Sequence, residues 1–197
     1  MKLGLLASHR GSSVQAVVEA CASGRLAAVP RVVIGNNADA EVLARARRHG
    51  IPCCHLSGST HPDPARLDEA ILDALVSHDV ELVVLAGYLR KLGPQTLRHF
   101  AGRVLNIHPA LLPKFGGQGM YGRRVHEAVL AAGERETGVT IHLADDEYDH
   151  GRIVAQCRVP VLPQDTVESL AERVLDLEHV FLVETLAAIV SGAVKLP

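Results

Sequence analysis

Tryptophan is absent from the 197 residues, and tyrosine and phenylalanine contribute only three each. So thin an aromatic complement cannot furnish the stacking platforms on which single-stranded nucleic acids are held. A basic excess is missing too: 20 Lys and Arg stand against 22 Asp and Glu, a net charge of −2. That balance excludes a grip on a phosphate backbone built from clustered cations. No uninterrupted apolar run approaches the roughly 18 residues of a membrane span. The four cysteines, Cys21, Cys53, Cys54 and Cys157, include no C-x-x-C pair of the zinc or redox type. With no secretory leader in view, they read as reduced thiols of a cytoplasmic protein.

What is present is apolar material and histidine. Forty-eight per cent of residues are hydrophobic and 21% charged, enough for a sizeable core and against intrinsic disorder. Length and the lack of any low-complexity linker point to a single domain, 1–197. Histidine occurs 11 times, a total that does not by itself distinguish metal binding, catalysis and surface decoration.

Along the first half, short apolar runs alternate with longer amphipathic segments. Strands are expected at Lys2–Ala7, Arg31–Gly35, Pro52–Leu56, Glu81–Ala86 and Arg103–Ile107. Helices are expected from Ser13, acting as cap, to about Cys21, and over Ala40–His49 and Pro64–His78. Alternation of this kind builds βαβ units and a parallel sheet. Beyond Pro109 the pattern changes to a Gly-rich stretch, a helix near Arg124–Ala132, strands at Gly138–Leu143 and Ile153–Val159, and a last helix over about Thr166–Val190. The expected class is α/β, Rossmann-like, with a mostly parallel sheet and helices on both faces.

In such sheets ligands lie beyond the carboxyl ends of the strands, and three segments fall there. The first loop, Ser8-His9-Arg10-Gly11-Ser12-Ser13, runs into a helix, so it reads either as an anion site using free N–H groups and Arg10, or as a plain helix cap. It lacks the G-x-G-x-x-G spacing of a dinucleotide site. The second, Asn106-Ile107-His108-Pro109, ends a strand with an amide and an imidazole on the same side. That pair suits hydrogen bonding to a carbonyl oxygen and proton handling near neutrality. The third, Asp145-Asp146-Glu147-Tyr148-Asp149-His150-Gly151, is either a solvated loop tip or the source of a carboxylate that reaches His108 and raises its pKa. No ligand pair has an established metal spacing, so no metal is expected.

Asn106-Ile107-His108-Pro109 with Leu111-Leu112-Pro113-Lys114, the earlier Ala86-Gly87-Tyr88-Leu89-Arg90, and the later Thr140-Ile141-His142 and Asp149-His150-Gly151 together resemble the folate-dependent formyltransferases, essentially end to end. Size and both termini look most like the glycinamide ribonucleotide branch. Gly116–Gly122 resembles an insertion of one bacterial group. The resemblance implies catalytic Asn106, His108 and Asp149, and a ribonucleotide site at Arg10, Gly11, Ser12, Ser13 and Glu178. It also implies a folate pocket at Leu89, Arg90, Leu92 and Asn106. The nucleotide half would cover about 1–100 and the folate half about 101–197.

The activity so implied is formyl transfer from 10-formyltetrahydrofolate, a cosubstrate, to the amine of glycinamide ribonucleotide in purine synthesis. Small molecules would be the only partners, with neither nucleic acid nor membrane, and the protein would act as a monomer or homodimer. Other formyltransferases, a formyltetrahydrofolate hydrolase, or a silent folate- or nucleotide-binding module share parts of the pattern. The first loop departs from the family at His9, Arg10 and Ser13, and the acidic loop at His150, which either crowds the pocket or faces water.

Overall fold

A computed structural model describes residues 1–197. Seven strands form one sheet in the order β3-β2-β1-β4-β5-β6-β7. The first five are β1 (Lys2–Ala7), β2 (Val29–Gly35), β3 (Cys53–His55), β4 (Leu82–Leu85) and β5 (Val104–His108). All five run parallel, and β6 (Glu136–Leu143) and β7 (Ile153–Pro160) continue the sheet antiparallel as a hairpin. The helices are α1 (Ser12–Ala22), α2 (Glu41–Arg48), α3 (Pro64–Ser77), α4 (Pro94–His99), α5 (Arg123–Ala131) and α6 (Val167–Val190).

Two cores form because alternate side chains of each central strand face opposite ways. Leu3 and Leu5 of β1, Leu82 and Val84 of β4 and Leu105 of β5 pack under α1, α2 and α6. Leu6, Val83, Leu85 and Val104 face the other way, with Ile71 and Leu75 of α3 and Phe100 after α4. Gly4 interrupts β1 for a steric reason: a Cβ there would lie 2.6 Å from Leu75 Cδ2.

The expected strands and long helices are present with ends shifted by a residue or two. Two local expectations are corrected. Ser13 is not the cap of the first helix: α1 starts at Ser12, and its cap is Gly11, whose φ of 65° is the left-handed conformation that glycine adopts without steric cost. The six-residue α4 was not anticipated, being too short for a periodic signal. It is held in place by a buried carboxylate from α3. Asp68 accepts hydrogen bonds from Gln95 N (2.7 Å), Thr96 N (3.1 Å) and Thr96 Oγ1 (2.6 Å).

Candidate active site

Every crossover from β1, β2, β4 and β5 leaves the sheet at the same edge, so their loops meet there. A cavity of about 900 Å³ opens at this edge. It is lined by Arg10–Ser13 from the first loop, Leu89–Leu92 after β4, Asn106 and His108 of β5, Asp149 of the acidic loop, and Glu178 of α6. All eleven site residues inferred from the sequence thus reach one cavity.

The pairings Asn106↔His142 and His108↔Thr140 between β5 and β6 put four polar side chains on one face of the sheet. Asn106 Nδ2 lies 3.0 Å from His142 Nε2 and 3.3 Å from Asp149 Oδ1. His142 Nδ1 is 2.8 Å from the Leu143 carbonyl, and its Nε2 stands 3.5 Å from Asp149 Oδ1. Asp149 takes a left-handed φ of 55°, uncommon outside glycine. Its Oδ2 accepts from Gly117 N at 2.9 Å and stands 3.4 Å from His108 Nδ1. On the far side of the ring, His108 Nε2 is 2.8 Å from the Phe115 carbonyl.

The carboxylate expected to reach His108 does so and pulls its pKa upward, but burial of the ring sets the net direction. Burial of His108, 3% exposed, pushes its pKa below the ordinary histidine value. The charge of Asp149 and the Phe115 carbonyl pull upward without overturning that, and His142 adds a further downward push. Asp149 therefore does not keep His108 protonated in the free protein, because desolvation of the ring outweighs a carboxylate at 3.4 Å. For Asp149 itself burial pushes upward. His142, the charge of His108 and the Gly117 N–H outweigh it, so the carboxyl sits below its ordinary range. Glu178 has no such compensation, and burial alone raises it to about 7.

Three arrangements were not visible in the sequence. Ser8, 1% exposed, accepts from Leu89 N through its hydroxyl at 2.7 Å, and its own N–H donates to the Gly87 carbonyl at 2.9 Å. It ties the first loop to the Leu89 segment, and a serine before a loop carries no periodic signal of that. Lys91 Nζ donates to the Asp146 carbonyl at 2.6 Å and lies 4.9 Å from the Tyr148 ring centre, bridging the two walls near Arg90. His126 lines the cavity with only 5% exposure. His150, by contrast, faces solvent and leans on Asp145 Oδ2 at 3.0 Å, so it does not crowd the pocket. No three His, Cys, Asp or Glu side chains are grouped to hold a metal ion, and no helix is long and apolar enough to cross a membrane.

Comparison with known proteins places this geometry. The formyl transferase family pattern matches residues 1–186. Over 195 residues the chain is 40% identical to a chloroplastic phosphoribosylglycinamide formyltransferase of Arabidopsis thaliana, covering 98% of this chain and 67% of that protein. Against the phosphoribosylglycinamide formyltransferase of Escherichia coli (strain K12) it is 34% identical over 196 residues, covering 100% of this chain and 90% of that one. The crystal structure of glycinamide ribonucleotide transformylase 1 from Symbiobacterium toebii superposes with a TM-score of 0.92 at 36% identity, covering 100% of this chain and 91% of that chain. With its β-strand-end asparagine and histidine, its acidic-loop aspartate and this end-to-end likeness, the chain belongs to the formyl transferase family.

Proposed function

We propose that the protein transfers a formyl group from 10-formyltetrahydrofolate to the primary amine of glycinamide ribonucleotide, a step of de novo purine synthesis. The observation that carries this reading is the convergence of Asn106, His108 and Asp149 at the rim of one cavity large enough for two substrates. On one side lie Gly11–Ser13 at the head of α1, whose first N–H groups have no partner within the helix and suit a phosphate. Arg10 adds a cation beside them, and Glu178 offers its carboxyl to ribose hydroxyls. On the other side, Leu89, Arg90 and Leu92 form an apolar wall with a cationic rim for the folate. The ribonucleotide side draws Glu178 from the second half of the chain and the folate side draws Leu89–Leu92 from the first. The single domain 1–197 therefore acts as a unit.

In the reaction the amine nitrogen forms a bond to the formyl carbon while the carbonyl π pair moves onto oxygen. Asn106 and His108 donate hydrogen bonds to that oxyanion, each such donor contributing about 3 kcal/mol in comparable sites. Because His108 begins largely neutral, it takes up a proton from solvent as negative charge develops on that oxygen and returns it when the oxyanion collapses, so the stabilisation is greatest in the transition state. Asp149, a carboxylate at neutral pH, takes the proton lost by the amine and passes it to the departing folate nitrogen as the old carbon–nitrogen bond breaks. In the free protein His108 Nε2 is engaged by Phe115 O and the Asn106 amide by His142 and Asp149. Substrate has to exchange for these partners. The Gly-rich segment Gly116–Gly122 is joined to the same site through Gly117 N, which donates to Asp149.

The test is the absorbance change on release of the deformylated folate, recorded with and without glycinamide ribonucleotide. Turnover that requires the ribonucleotide is the expected result. Turnover with water alone would reassign the site to hydrolysis, and none at all would leave a binding module.

A further inference from the structure

His126 has no part in the chemistry above, yet its surroundings are unusual for a packing residue. It is 5% exposed on α5 and lines the main cavity. Its Nδ1 is fully enclosed and meets no hydrogen-bond partner. Its Nε2 is not enclosed in that way and bonds to nothing else in the chain. The neighbouring histidines differ: both ring nitrogens of His108 and of His142 face polar partners. A buried polar side chain left unmatched within the protein is uncommon, and in a cavity wall its natural partner is a ligand.

The wall on which it stands tells which ligand. Helix α5 packs on α6 and α6 on α1, and Val17, Val129 and Val174 of these three helices share one core. That layer also presents Gly11–Ser13 and Glu178 to the cavity. Leu92 of the folate wall belongs to the opposite core, with Tyr88. Burial, with a smaller push from the charge of His108, holds the pKa of His126 below the ordinary value. The ring is therefore neutral near pH 7 and offers one N–H. Placing that proton on Nε2, the ring nitrogen that is not sealed in, spares a buried N–H without an acceptor.

Between a phosphate and ribose held by the α1 head and Glu178, and an amine delivered to His108, the acceptor substrate presents one neutral group, its amide. We propose that His126 is a binding residue for the acceptor ribonucleotide, its Nε2–H donating to the carbonyl oxygen of the amide that joins ribose to the reactive amine; the inference rests on the ribonucleotide reading of this site. A neutral donor suits a neutral carbonyl, whereas a phosphate draws on cations and helix N–H groups.

The test is His126→Leu, read by steady-state kinetics with each substrate varied in turn and by thermal unfolding. The expected result is a rise of about tenfold in KM for glycinamide ribonucleotide, the worth of one hydrogen bond, with KM for the folate and kcat unchanged. The unfolding midpoint should hold or rise, because leucine removes an unmatched buried nitrogen without leaving another. An unchanged ribonucleotide KM overturns the proposal. So does a lowered midpoint with both KM values raised, which is the signature of packing. Ring-nitrogen NMR on the unaltered protein is independent of any folding defect: glycinamide ribonucleotide alone should shift the His126 Nε2 signal, and a signal it leaves in place overturns the contact. If the unaltered protein turns over without the ribonucleotide, the acceptor assignment itself fails. If it requires the ribonucleotide and His126→Leu is unaffected, only this contact fails.

Discussion

His108 is held between two acceptors, Asp149 Oδ2 at 3.4 Å from Nδ1 and the Phe115 carbonyl at 2.8 Å from Nε2. Only an imidazolium satisfies both, yet burial keeps the ring's pKa below the ordinary histidine value. The site is thus poised: the partners of the charged form are in place, and the charge itself waits for a negative group to arrive.

One consequence is measurable in the free protein. The His108 ring should titrate below about 6.5, the ordinary histidine value, and Asp149→Asn should move the midpoint further down by removing an upward pull. The same substitution should lower kcat by about 10²–10³-fold with folate binding retained. A midpoint above the ordinary value in ring-proton NMR contradicts this account.

Glu178 makes the opposite contribution to pH dependence. Burial lifts its carboxyl from 4.5 to about 7, so between those values the folded protein holds a proton that the unfolded chain releases. Stability from this group is full below the unfolded value and is lost as pH rises through the folded one. Glu178→Gln should therefore stabilise the protein at pH ~8 by on the order of 2–3 kcal/mol and have no such effect near pH ~4. Denaturant unfolding at the two pH values checks the sign. The same variant should raise KM for the ribonucleotide.

Asp68 is the anchor of α4. Its carboxylate receives three hydrogen bonds from Gln95 and Thr96, and the chain turns so tightly beside it that a Cβ on Gly93 would stand 2.2 Å from Asp68 Cγ. Asp68→Ala leaves those donors unmatched and should cost about 2–3 kcal/mol in equilibrium unfolding. Because α4 follows the Leu89–Leu92 wall directly, the folate KM should rise while that for the ribonucleotide stays put.

Gly11 combines a left-handed φ of 65° with contact against α2: an added Cβ would lie 2.3 Å from Val42 Cγ2. Gly11→Ala must displace the loop or the helix. It should destabilise by about 1–3 kcal/mol and weaken the ribonucleotide more than the folate.

Arg10 is exposed and makes no ion pair or hydrogen bond within the chain. Arg10→Ala should leave the unfolding midpoint unchanged and raise the ribonucleotide KM by about tenfold at low salt, the difference shrinking as salt screens the charge. Equal effects on both substrates would remove Arg10 from the phosphate site.

Much of this architecture was legible in the chain alone, for local reasons. The continuous run within Glu81–Ala86 is of the kind that a strand covered on both faces requires, and its alternation with amphipathic helices implies a parallel sheet. Asn106 and His108 share a side because side chains alternate along a strand, and their place at its carboxyl end marks a ligand edge. What the sequence could not decide is anything set by the balance of burial and distance. The protonation preference of His108 depends on how deeply the ring is enclosed, the role of Ser8 on an 81-residue separation from Leu89, and the unmatched nitrogen of His126 on which neighbours α5 meets. Periodicity determines which face a residue occupies. Only the tertiary structure determines what dielectric surrounds it and which partners it finds there, and those two quantities set its chemistry.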